Sequence, residues 1–152
     1  EEEVFWMLVT IIHDYFPSGI FNEIAHESSL EQTVLMMFIY EKMPGLWSKI
    51  SSKRCFWECE QKGNLPSITF VTNHWLSSMY LNVLPVETIL RVWDCFFVEG
   101  FQVLYQVALT IIKLSEPNIW KVNDSVDILQ ILQKMPNRFV DCHQFMEVIH
   151  RF

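Results

Sequence analysis

Leu84-Pro85-Val86-Glu87-Thr88-Ile89-Leu90-Arg91-Val92-Trp93-Asp94-Cys95-Phe96-Phe97-Val98-Glu99-Gly100 is the stretch on which the fold turns. Proline suits the first turn of a helix, where its missing N–H would have no intrahelical partner, so Pro85 marks a start. Glu87 then puts negative charge near the positive end of the helix dipole. Gly100 closes the helix after Val98-Glu99. Between these bounds Leu90, Val92, Trp93, Phe96 and Phe97 surround two opposite charges, Arg91 and Asp94, which the i, i+3 spacing sets side by side. Charges embedded in so apolar a helix are expected to pair and fix its packing rather than to do chemistry.

Working outward, the same helical spacing recurs in nearly every segment, and the glycines and prolines fall between segments, so the class is all-α. Downstream, a helix is predicted from about Phe101 to Leu114, ahead of Pro117. Two more follow near Asp124–Lys134 and Val140–Arg151, separated by Met135-Pro136-Asn137. Upstream, Gly63 to Val86 contains no Asp, Glu, Lys or Arg over 24 residues. Ile68, Val71, Trp75, Met79 and Val83 line one side of a helix there, which is expected in the middle of the fold. Its other side carries Thr69, Asn73, Ser77 and Tyr80, neutral groups where a surface helix normally shows charges, so that side is expected to face protein. Earlier still, a helix from about Leu46 to Gln61 stops at Gly63. Another begins near Ser28, where Ser28 and Glu31 form a capping-box pattern, and runs to Pro44-Gly45. The first covers about Glu2 to Phe16, with Phe5, Leu8, Val9, Ile12, Tyr15 and Phe16 as its apolar stripe, and ends at Pro17-Ser18-Gly19.

Composition excludes several functions. Of 152 residues, 51% are hydrophobic and 19% charged, which predicts one heavily buried domain with some surface normally met by other protein. The formal charge of −7, without a basic run, argues against nucleic acid. No apolar run approaches the roughly 20 residues needed to span a membrane, and Glu1-Glu2-Glu3 is unlike a signal peptide, so a soluble intracellular protein is expected. Cys55, Cys59, Cys95 and Cys142 are scattered through amphipathic patterns and are expected to be reduced and mostly buried, Cys55 and Cys59 as neighbouring core thiols. They do not assemble a four-ligand metal set with His143 and His150, so no metal and no cofactor are expected. His74, beside Trp75, is expected to be a buried or half-buried structural histidine. No nucleophile elbow exists, and glycines at 19, 45, 63 and 100 form no phosphate loop.

The Leu84–Gly100 run, followed by Val103-Leu104-Tyr105-Gln106-Val107-Ala108-Leu109, resembles the C-terminal signature of TBC-domain Rab GTPase-activating proteins. Glu2-Glu3-Val4-Phe5-Trp6 is similar to that family's acidic-then-aromatic helix start, and Trp75 stands ahead of the Leu-Pro turn as its pattern expects. The tail Phe139-Val140-Asp141-Cys142-His143-Gln144-Phe145-Met146 further resembles the growth-hormone-regulated subgroup. The resemblance implies an irregular, orthogonal bundle of about eight helices, the C-terminal subdomain of a TBC domain, in which Trp75, Pro85, Arg91, Trp93, Asp94 and Gly100 are structural.

It also implies an enzyme activator rather than an enzyme. In this family an arginine from I-x-x-D-x-x-R offsets charge on the transferring phosphoryl group, and a glutamine from Y-x-Q orients the attacking water. Neither motif is found here: Arg54, Arg91, Arg138 and Arg151 follow Ser51, Thr88, Met135 and Val148 at three places, and Tyr15, Tyr40, Tyr80 and Tyr105 precede Pro17, Lys42, Asn82 and Val107 at two. The chain is therefore expected to be a scaffold, inactive alone, that partners the domain's N-terminal half and a Rab-family GTPase in its GTP form. Thr69, Asn73 and Ser77 are the expected GTPase contacts, since small neutral groups permit close approach; they could equally face the N-terminal half. Cytoplasmic placement, peripheral to endomembranes in vesicle trafficking, and self-association of the uncovered chain complete these expectations. The rival readings are a TBC-type interaction scaffold without activation chemistry and a redox or metal role for the cysteines.

Overall fold

The computed structural model describes residues 1–16, 27–61, 63–139 and 141–149, with the side chains of 27–29 outside the description. Among the described residues there is no strand, and nine α-helices follow in order. They are α1 (Glu2–Thr10), α2 (Glu27–Lys42), α3 (Pro44–Ile50), α4 (Phe56–Gln61), α5 (Thr69–Ser77), α6 (Val86–Glu99), α7 (Gln102–Ile119), α8 (Ser125–Lys134) and α9 (Cys142–Ile149). A π-helical turn, Ile11–Tyr15, extends α1, and a 3-10 turn, Pro136–Arg138, links α8 to α9. The all-α expectation holds. The expected terminators Pro17-Ser18-Gly19 and the side chain of Ser28 lie outside the described residues.

α7 is the centre. It is apolar around most of its circumference, with Lys113 and Glu116 on one flank, and it packs against α2, α5, α6, α8 and α9. Leu104, Val107, Ala108 and Ile111 are fully buried. The helix runs on through Pro117 instead of ending near Leu114. Buried Ser115 and Ile119 hold this last turn against the body, so packing outweighs the hydrogen bond that proline removes.

α5 sits one layer out, against α2, α7 and α8, and so is not the middle helix the charge-free run suggests. Ile68, Val71 and Trp75 are buried, as their spacing predicts; Met79 and Val83 are buried as well, but in the turns beyond Ser77, where α5 has already ended and helical spacing no longer applies. Tyr80, expected on the opposite polar side, is buried too. Left-handed backbone at Met79 (φ 50°) and Tyr80 (φ 63°) turns its ring inward. Its hydroxyl donates to the Leu104 carbonyl at 2.7 Å, and the Trp93 indole N–H donates to the Met79 carbonyl at 3.1 Å, so α6 and α7 both grip this turn.

The bounds of α6 follow the sequence. Pro85 is extended at its N-cap, and Gly100 ends it at φ 83°, ψ −164°, a conformation open essentially to glycine alone. The Arg91–Asp94 pair corrects an expectation. The side chains are 56% and 71% exposed and 3.6 Å apart, on the wet face of α6, where such a pair contributes little to packing.

The expected Leu46–Gln61 helix is two helices, because the chain reverses at Ser51–Arg54. Ser52 (φ 55°) and Lys53 (φ 65°) are both left-handed without being glycine. The Trp47 indole (2.9 Å) and the Ser51 hydroxyl (3.0 Å) both donate to the Arg54 carbonyl, and Arg54 Nε donates to the Ser51 carbonyl at 3.0 Å. Periodicity cannot register a break made by side-chain hydrogen bonds within the turn itself.

The amino-terminal segment divides sharply. Ile11 and Phe16 are buried, and the Tyr15 and Phe16 rings meet Phe96 at 5.4 and 6.2 Å. The π turn, closed by Phe16 N–H donating to the Ile11 carbonyl at 3.1 Å, brings both anchors onto the body. α1 itself buries no residue. Phe5, Leu8, Val9 and Ile12, expected to form a buried stripe, are exposed, as are Val4, Trp6 and Met7.

Candidate functional site

α5 presents a line of neutral groups outward because its apolar residues recur at helical spacing and consume the inner face. Thr69 is half-buried, its hydroxyl donating to the Pro66 carbonyl at 2.9 Å. Asn73 and Ser77 are exposed, and the Ser77 hydroxyl turns back onto the Asn73 carbonyl at 2.8 Å. All three expected contacts thus share one side of α5. His74 is exposed beside them, not buried as expected, because its position falls outside the arc occupied by Trp75 and Val71.

Next to this line lies an open cavity of about 760 Å³, between α2, the Ser51–Arg54 turn, the segment 63–67 and α5. Thr69 and Asn73 belong to its wall, whereas Ser77 lies beyond it. Gln32 of α2 lines it while only 4% exposed. The Gln32 Oε1 accepts from the Thr72 hydroxyl at 2.6 Å, and its Nε2 has no hydrogen-bond partner among the described residues. Burial pushes the neighbouring Glu31 carboxyl above the usual carboxylate range. Arg54 and Phe70 also line it, Phe70 being 79% exposed. Sequence reasoning missed Gln32, Arg54 and Phe70. The one signal was Phe70 itself, an aromatic flanked by the polar positions 69 and 73 on a helix whose apolar face was already complete.

The other singled-out residues are spread across the fold. Trp75 is buried with its ring 6.2 Å from that of Tyr80, Trp93 ties the α5–α6 turn, and Pro85 and Gly100 bound α6. Cys59 is buried but Cys55, expected beside it in the core, is exposed at the start of α4, since the Ser51–Arg54 reversal displaces it from the apolar face. Cys95 and Cys142 are half-buried, and all four thiols are free. Among the described residues no group of three or more His, Cys, Asp or Glu side chains could hold a metal ion, and no helix is long and apolar enough to cross a membrane.

The model of the Rab-GTPase-TBC domain family matches residues 1–120. The chain belongs to that family. The TBC chain is 31% identical to Growth hormone-regulated TBC protein 1 of Xenopus tropicalis, across 98% of its own length and 41% of that protein. It is 28% identical to GTPase-activating protein GYP3 of Saccharomyces cerevisiae, across 98% of itself and 30% of the relative. A crystal structure of the Chlamydomonas flagellar RabGAP TBC domain shares the fold, with a TM-score of 0.78 at 23% identity over 99% of this chain and 46% of that one. The TBC chain therefore spans less than half the length of these proteins.

Proposed function

We propose that these residues form the C-terminal portion of a TBC domain whose parent protein accelerates GTP hydrolysis by a Rab-family GTPase in its GTP form. They supply scaffold and part of the docking groove, with Thr69, Asn73 and Ser77 on the contacted face. The observation that carries this reading is α1 with the π turn that extends it, within a matched TBC segment: seven exposed apolar side chains, Val4, Phe5, Trp6, Met7, Leu8 and Val9 of α1 and Ile12 of the turn, project from a packed body. A helix of that composition is stable in water only when covered. The N-terminal half of the same domain is the cover we assign to it. That half also has to bring the arginine and glutamine, since neither I-x-x-D-x-x-R nor Y-x-Q occurs among these residues.

The chemistry then divides cleanly. An arginine supplied in trans offsets charge developing on the phosphoryl oxygens and is worth about 10³–10⁵ in rate, and a glutamine holds the water in line. The present residues hold the GTPase where those two groups reach it. On this reading the protein works in the cytoplasm and meets endomembranes through its GTPase. Single-turnover GTP hydrolysis by a panel of Rab proteins tests the reading. Full-length protein stimulates one or more of them and the chain alone stimulates none; stimulation by the chain alone overturns the division of labour, and no stimulation by the full-length protein favours a non-catalytic scaffold.

A further inference from the structure

We propose that the cavity between α2, the Ser51–Arg54 turn and α5 is a slot for an extended segment of the docked GTPase, one that carries a single carboxylate. The inference rests on the docking reading above and deepens it by naming what enters the groove.

Three features of the slot point to that chemistry. First, Gln32 lines it, only 4% exposed, with Oε1 occupied by Thr72 and Nε2 without a partner among the described residues. A buried donor left unmatched is destabilising, and since Nε2 is itself closed to solvent in this structure, a swing of the Gln32 side chain that brings it to an acceptor in the slot is favoured. Main-chain carbonyls of an extended segment are such acceptors.

Second, Arg54 is held by its backbone and its Nε, not by an acid. Its carbonyl accepts from Trp47 and Ser51, its Nε donates to Ser51, and the two residues before it are left-handed. Strained backbone persists only where its surroundings over-determine it. In a chain of formal charge −7, no carboxylate pairs with Arg54 among the described residues. Its terminal nitrogens are thus available for the two-pronged contact that guanidinium makes with carboxylate.

Third, Glu60 also lines the cavity. A lining with one acid and one base disfavours a multiply charged anion such as phosphate and suits a ligand with one negative group. Phe70, together with Arg54, supplies the aromatic and arginine anchors that dominate protein interfaces.

The test uses the full-length protein and a Rab GTPase that it activates, loaded with a non-hydrolysable GTP analogue, with binding measured by calorimetry. Arg54→Glu weakens binding by about tenfold or more, and one Asp or Glu of the GTPase changed to Lys restores it, as expected when a charge pair is swapped. Arg54→Glu without effect, while Ser77→Arg weakens binding, overturns the slot and leaves the docking face standing. No effect from either variant overturns both. Weakening that no charge reversal on the GTPase restores overturns the carboxylate assignment. If Arg54→Glu lowers the thermal midpoint, Asn73→Glu at the exposed wall replaces it: about tenfold weaker binding supports the slot and unchanged binding overturns it.

Discussion

α1 and α7 are both apolar around most of their circumference, yet α7 buries ten residues and α1 buries none. The difference is in the neighbours, not in the helices. α7 is enclosed by α2, α5, α6, α8 and α9, whereas the segment holding α1 touches the body through Ile11, Tyr15 and Phe16. A largely apolar helix therefore marks a core in one place and an uncovered face in the other. Hydrophobic patterning reports that a helix needs cover without reporting which polypeptide provides it.

The largest expected effects test that contrast directly. Leu104→Ala or Ile111→Ala, each removing a fully buried side chain from α7, lowers unfolding free energy by about 2–5 kcal/mol in urea titrations. Leu8→Ala in the chain alone changes it by about 0.5 kcal/mol or less, since Leu8 is exposed. In the longer protein the same substitution costs about 2 kcal/mol or more if α1 is covered. Equal effects of Leu8→Ala in the two contexts break the comparison. Sedimentation gives a second check: the chain alone is expected to self-associate, and Phe5→Lys with Leu8→Lys is expected to shift it toward monomer.

Next in size is the hinge leading into α7. Gly100→Ala forces a side chain into φ 83°, ψ −164°, and lowers stability by about 1–3 kcal/mol in thermal melts. Tyr80→Phe removes the hydrogen bond to the α7 carbonyl at Leu104 and costs about 1 kcal/mol. It also changes the alkaline limb. Burial holds the Tyr80 phenol well above its ordinary 10.0, so the folded state keeps a proton that the unfolded chain releases. Stability is then complete below pH 10 and declines as pH rises beyond it, and the decline is shallower in Tyr80→Phe.

The smallest effect lies on the wet flank of α7. Hydrogen bonds from Lys113 (2.7 Å) and Trp120 (3.2 Å) hold the Glu116 carboxyl below its usual range. This contribution is present above the ordinary carboxylate value of 4.5 and is lost as pH falls through the lower folded value. Glu116→Gln therefore costs about 0.5 kcal/mol or less at neutral pH and flattens the acid limb of a denaturation series.

Much of this arrangement is legible residue by residue. Pro85 and Gly100 bound α6 where their backbone preferences say, and α8 falls within the expected Asp124–Lys134, with Asp124 accepting from the Val126 N–H at 3.2 Å as its cap. The reversal at Ser51–Arg54 is not legible, because Ser52 and Lys53 carry no turn signature and their left-handed backbone is imposed by Trp47 and Ser51. Tyr80 misled for the same reason, since a helical wheel assumes the helix continues, and α5 ends at Ser77. The cavity was hidden because Gln32, Arg54 and Thr69 lie on separate elements with ordinary local patterns.

From the amino-acid order alone came the helical class, the bounds of α6, the buried line of α5 and the family, because each rests on interactions within a few residues or on a contiguous motif. The tertiary structure alone decided that α7 is the centre, that α1 stands bare, and that Gln32 and Arg54 face one cavity. Those outcomes depend on contacts between residues far apart in the chain, whose geometry is set by the sum of all packing rather than by any local preference.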